Sequence, residues 1–99
     1  FKTIKALVFL YPATIGRKTP FTSGYRPGFS LDGFNRTSGS IQLLNALSLS
    51  PGNSCEAIIT IVTPSILGES YRVGAEIEFY ESDKPLGRIE ILEIGNALE

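Results

Sequence analysis

The sequence predicts an all-β fold, and three observations carry that prediction. β-Branched residues concentrate in short runs, clearest in A-I-I-T-I-V from Ala57 to Val62. Apolar and polar residues alternate from Tyr71 to Glu81, the period of a strand with one buried face. Glycine- and proline-bearing turns separate the runs, and no stretch sustains a helical period. A chain of 99 residues suits one domain over 1–99, because two cores would each be too small to stand alone. At this length, a small closed barrel and a sandwich both satisfy the pattern.

Six strands follow in order. Thr3 to Leu10 is an apolar, β-rich run closed by Tyr11-Pro12. Its short apolar core, split by Lys5, is a strand and not a signal peptide. A loop from Ala13 to Ser23 carries the breakers Gly16 and Pro20. Gly24 to Leu31 is the second strand, and Pro27 places it at an edge or a bulge. Asp32-Gly33 and Thr37-Ser38-Gly39 read as turns. Ser40 to Leu44 is the third strand, and Asn45 to Leu49 is an extended connection, too short for a stable helix. Ser50-Pro51-Gly52-Asn53 is a turn: proline presets the first central dihedral and glycine supplies a positive φ at the second.

Ser54 to Thr63 is the fourth strand, ended by Pro64, and Ser65 to Ser70 is a loop. In the fifth strand, Tyr71 to Glu81, Tyr71, Val73, Ala75, Ile77 and Phe79 point one way. Ser82 to Pro85 is a turn before the last strand, Leu86 to Ile94. There Ile89 and Ile91 share a face while Leu92 and Ile94 take the other, a switch that a bulge or two-sided burial explains. Residues 95–99 are expected to fray. The predicted core is Ile4, Ala6, Val8, Phe29, Leu31, Ile41, Ile59, Ile61, Val73, Ile77, Phe79, Ile89 and Ile91.

Composition narrows function mainly by exclusion. A net charge of -1 gives no bulk attraction to nucleic acid or an anionic membrane. No run approaches the ~20 apolar residues of a membrane-spanning helix. Cys55 stands alone, so no internal disulfide forms, which fits a reducing, cytoplasmic setting. One cysteine and no histidine give zinc no ligand set, and leave Cys55 and the hydroxyl nucleophiles without a histidine base. The absence of methionine reads as a fragment or trimmed form of a longer polypeptide.

The most distinctive stretch is Gly16 to Phe29, G-R-K-T-P-F-T-S-G-Y-R-P-G-F. It resembles the C-terminal β-barrel domain of elongation factor Tu, where G-R-x-T-P-F and then G-Y-R-P-x-F lie between the first two strands. Ser38-Gly39-Ser40-Ile41 resembles that family's T-G-T-I, Pro51-Gly52-Asn53 its P-G-D/N, Ala57 to Pro64 its V-V-T-L-I-H-P, and Tyr71-Arg72-Val73 its L-R-F. The order holds from about residue 3 to about residue 94. The resemblance implies a six-stranded, closed Greek-key barrel. In the family this barrel grips the T-stem of aminoacyl-tRNA and abuts a nucleotide-binding domain.

The chain also departs from that pattern. No G-x-x-x-x-G-K-[ST] occurs, so this chain by itself does not hydrolyse GTP. Gly28 stands where the family has glutamine, Lys18 where it has histidine, and Ser40 where it has threonine. Phe79 to Gly87, F-Y-E-S-D-K-P-L-G, replaces a turn with a double glycine and adds acid. The scaffold signals are kept better than the RNA-contact signals.

Arg17, Lys18, Tyr25, Arg26 and Ser40 are therefore the candidate RNA- or partner-binding residues. Arg17, Lys18 and Arg26 suit phosphate contacts; the structural alternative has Arg26 lying against the barrel to hold its loop. Tyr25 suits base stacking or packing at the barrel rim. Glu76, Glu78, Glu81, Asp83 and Glu90 read as a solvated strand face in preference to a cation or acid–base site. Asn35-Arg36-Thr37 matches a glycosylation acceptor, a lone match that means little in a chain expected to be non-secreted. The expectation is a non-catalytic binding module that docks a protein partner, with tRNA as the alternative and no cofactor, metal or membrane partner.

Overall fold

A computed structural model describes residues 2–32 and 34–95. Its strands are β1 (Lys2–Leu10), β2 (Phe21–Thr22), β3 (Gly28–Ser30), β4 (Thr37–Leu43), β5 (Ser48–Leu49), β6 (Ser54–Ile61), β7 (Glu76–Glu81) and β8 (Lys84–Ile94). Six of them close into a barrel in the order β1–β6–β4–β3–β7–β8, and every pair is antiparallel. β3, β4 and β6 are successive neighbours and β1 lies beside β6, which is a Greek key. The seam that seals the cylinder is β1 on β8, from Ile4 opposite Ile94 to Leu10 opposite Gly87. Closure leaves no long sheet edge for another chain to extend.

Period-two alternation fills the interior. Ile4, Ala6 and Val8 from β1 meet Ile59 and Ile61 from β6, Ile41 from β4, Ile77 and Phe79 from β7, and Ile89 and Ile91 from β8. Burying one such side chain contributes about 1.5–3 kcal/mol, so this layer dominates the favourable side of folding. Two bulges tune β8. Lys5 faces Glu93 and Ala6 faces Ile91, so Leu92 is the extra residue. Phe79 faces Gly87 and Tyr80 faces Pro85, so Leu86 is the extra residue, and it is buried.

Both β1 and β4 run toward the same end of the barrel, where the loops 11–27 and 44–53 cross. They meet as the ribbon β2–β5, Phe21 opposite Leu49, and both of these side chains are buried against the core. The connection Asn45–Leu49 is therefore extended at its end, as its sequence predicts.

Several sequence expectations fail locally. Thr37-Ser38-Gly39 is not a turn but the start of β4. A Cβ on Gly39 would lie 2.8 Å from the Phe29 ring, so glycine there permits a ring to cross the strand. The second strand is shorter than predicted: only Gly28–Ser30 joins the barrel, and Tyr25 makes a single bridge to Ile41. Leu31 is 51% exposed because the chain bends away after Ser30. Val73 is 61% exposed because β7 starts only at Glu76, after a turn in which Gly74 has φ +89°. Pro64–Ser70 is a 3₁₀ helix interrupted at Gly68, where a loop was expected. The turn between β7 and β8 is just Ser82-Asp83. Gly95 does not fray, since its N–H donates to the Thr3 carbonyl at 2.9 Å. Gly33 of the Asp32-Gly33 turn and residues 96–99 lie outside the described residues.

Candidate functional site

Loop 11–27 carries the distinctive motif, and local geometry fixes it on the barrel rim. The Tyr11 N–H donates to the Leu86 carbonyl at 2.9 Å, and the Gly16 N–H donates to Pro12 at 3.0 Å. Gly24 and Tyr25 then bond to both sides of Ile41, at 2.9 Å each, so the loop extends the sheet beside β4. The Ser23 hydroxyl accepts from the Leu43 N–H at 2.9 Å, satisfying a backbone donor that the end of the ladder leaves open.

These anchors bring Arg17 and Tyr25 together. The Arg17 guanidinium lies 5.1 Å from the centre of the Tyr25 ring, and that ring packs on Phe21 at 4.6 Å. Arg17 Nε donates to the Thr19 carbonyl at 2.9 Å, and its Nη1 lies 3.3 Å from Glu81 Oε1. The Tyr25 hydroxyl donates to the same Glu81 oxygen at 2.9 Å. Burial, then the Glu81 hydrogen bond and charge, push the Tyr25 hydroxyl well above the usual tyrosine range, and Arg17 only partly opposes them. Tyr25 is thus neutral at physiological pH and serves as a donor.

Arg17, not Arg26, holds the loop. Arg26 is exposed and, like Lys18, makes no side-chain hydrogen bond or ion pair among the described residues. This reverses the structural role expected for Arg26. Ser40 sits on the outer side of β4 opposite Thr60 and joins neither Arg17 nor Tyr25. Glu81 is the member that the sequence reading missed: 64 residues from Arg17, it looks like any acid on an alternating strand. An open groove of about 380 Å³ runs along Arg17, Pro20, Phe21, Ser23 and Tyr25.

Arg36 and Arg88 also lie over aromatic rings on the barrel. Arg36 lies 4.8 Å from the Tyr80 ring centre, bonds the Ser82 carbonyl and pairs with Asp83 at 3.3 Å. Arg88 lies 4.7 Å from the Phe9 ring centre and pairs with Glu76 at 3.7 Å. Glu78 accepts from the hydroxyls of Tyr11, at 2.8 Å, and Tyr80, at 3.3 Å. Among the described residues no three potential metal ligands converge, and no helix is long and apolar enough to cross a membrane. Cys55 is half-buried on β6, with its thiol against the Leu44 and Glu56 carbonyls. No protein-family model matches the chain, and no curated protein matches it.

Proposed function

We propose that this chain is a non-catalytic, cytoplasmic β-barrel binding module of the elongation factor Tu C-terminal type, and that it docks a protein partner such as a translation factor or ribosome-associated protein. One observation carries the choice of protein over RNA. The two groups best suited to a nucleic acid, the Arg17 guanidinium and the Tyr25 ring, are spent on each other and on Glu81. A phosphate approaching Arg17 meets a carboxylate already in place, and a base approaching Tyr25 finds one ring face under Arg17 and Phe21 beside it. Electrostatic attraction to phosphate is what gives RNA-binding surfaces most of their affinity, and here it is locally cancelled.

The RNA reading keeps one favourable observation, that Lys18 and Arg26 are exposed without acidic partners among the described residues. A tRNA titration at low and high salt separates the two readings. The protein-docking reading expects no salt-dependent binding, and retention of a reproducible partner from a fraction of translation factors and ribosomal proteins. Salt-dependent tRNA binding that Lys18→Ala and Arg26→Ala weaken would favour RNA instead.

A further inference from the structure

A second groove crosses the outside of the barrel over β7, β8 and β1, apart from the groove at Arg17 and Tyr25. It has two hollows, of about 270 and 210 Å³, separated by the Glu76–Arg88 pair. Leu31, Ile77 and Glu78 line the first; Leu7, Phe9 and Glu90 line the second. The register explains the arrangement. Glu76 faces Glu90 across β7 and β8, Glu78 faces Arg88, and Arg88 faces Phe9 across β8 and β1, so alternate residues of three strands share one outer surface.

The charge of this surface is lopsided. Glu76, Glu78 and Glu90 line the two hollows with a single cation, Arg88; of the nearby cations, Arg36 is paired with Asp83, and Lys5 with Glu56 and Glu93. Glu78 is engaged by two tyrosine hydroxyls, which neutralise nothing, and Glu90 makes no ion pair among the described residues. Two carboxylates lying directly opposite each other, Glu76 and Glu90, are unfavourable in a free sheet. Arg88 meanwhile displays the chemistry that fits here: a guanidinium over an aromatic ring with a carboxylate beside it.

We propose that this groove docks a basic segment of a protein partner, one that alternates arginine or lysine with apolar residues. The proposal rests on the partner-docking reading above and adds the chemistry of the partner. Cationic heads pair with Glu78 and Glu90 at the two ends of the groove. Their aliphatic stems and the apolar residues cover Leu7 and Leu31, which are exposed in the free chain. Arg88 is the chain's own occupant of the central position.

The test is a fluorescence-anisotropy titration with a labelled twelve-residue peptide alternating arginine and leucine, beside its glutamate–leucine counterpart. The basic peptide is expected to bind at low salt and to weaken several-fold at high salt. Glu90→Lys should weaken it about tenfold, while Glu69→Lys, the same change of net charge on the 3₁₀ helix, should leave it within about twofold. Arg88→Ala should bind the basic peptide at least as tightly as the parent, since it vacates the ring and Glu76. Four results would each overturn the proposal: no binding of the basic peptide, preference for the acidic peptide, equal weakening by both charge reversals, or weakening by Arg88→Ala. A chain that fails this test yet retains a cellular partner sinks only the groove. A chain that passes it yet retains no partner sinks the docking function.

Discussion

The ring of Phe79 on β7 covers the backbone of Gly87, its cross-strand partner on β8. A Cβ on Gly87 would lie 2.5 Å from Phe79 Cζ and would also strike the Phe9 carbonyl. Phe29 treats Gly39 in the same way on β4, and the two rings face each other across β3 and β7 with centres 6.0 Å apart. Two glycines thus admit the two fully buried phenylalanines to a barrel too narrow for both rings and a Cβ beneath each.

Gly87→Ala should therefore be among the costliest alanine substitutions in the chain. Overpacking typically costs about 1–3 kcal/mol, and the rigid Phe9 carbonyl places this site at or above the upper end. Phe79→Leu in the same chain should recover only part of the loss, because the backbone clash stays. Urea unfolding of the single and double variants checks both statements; a Gly87→Ala protein as stable as the parent would refute this account of the core.

The Arg17–Glu81–Tyr25 cluster predicts alkaline behaviour. Tyr25 has its folded pKa raised by burial and by Glu81, while the unfolded chain titrates near the ordinary value of about 10. The folded state then holds the proton more tightly than the unfolded one. Its contribution is fully present below pH ~10 and fades as pH rises above that value. Tyr25→Phe should lower stability at neutral pH by about 1 kcal/mol, the net worth of one hydrogen bond. It should also make the loss of stability above pH ~10 shallower, as urea midpoints from pH 8 to 11 would reveal.

That cluster also marks where the sequence stopped being informative. Strand alternation is a local signal, so it located Ile4, Ala6, Val8, Ile59, Ile61, Ile77, Phe79, Ile89 and Ile91 in the core. The motif pointed to Arg17 and Tyr25, but their joint acceptor, Glu81, comes from another strand and carries no local mark. Leu31 and Val73 fit the alternation but lie outside the strands: the chain bends away after Ser30, and β7 starts only at Glu76. Thr37-Ser38-Gly39 has turn composition, yet its glycine serves the Phe29 ring. β2 and β5 are two residues each, below the length at which alternation can be recognised.

Asp32 predicts an acid response localised to one loop. Its carboxylate accepts from the N–H groups of Phe34, at 2.8 Å, and Asn35, at 2.9 Å, and from the Ser30 hydroxyl at 3.1 Å. These backbone donors, Asn35 first, hold its pKa down to about 2. A depressed carboxylate contributes stability above its unfolded pKa of about 4, and that contribution is lost as pH falls through about 2. Asp32→Asn should flatten the pH dependence of stability between pH ~4 and ~2. Amide exchange at Phe34 and Asn35 should quicken in the variant at neutral pH, where the bonds are otherwise intact. Unchanged exchange at both amides would mean that the carboxylate does not hold this loop.

Leu92 predicts the response of the seam. Because it is the extra residue opposite β1, Ile91 and Ile94 both reach the interior side although three positions separate them. Without the bulge, strict alternation after Ile91 would turn Glu93 inward and Ile94 outward. Deleting Leu92 removes the extra residue itself: Ile91, Glu93 and Ile94 then alternate strictly opposite Ala6, Lys5 and Ile4, so Glu93 stays outward and Ile94 inward. The deletion variant should therefore keep the β1–β8 pairing, and it and Leu92→Ala should each cost no more than about 1 kcal/mol at a half-buried position. Amide exchange along β1 checks this, with native protection at Ile4 and Lys5 expected in both variants. Loss of that protection in the deletion variant alone would show that the seam needs the local twist of the bulge and not only the facing of its side chains.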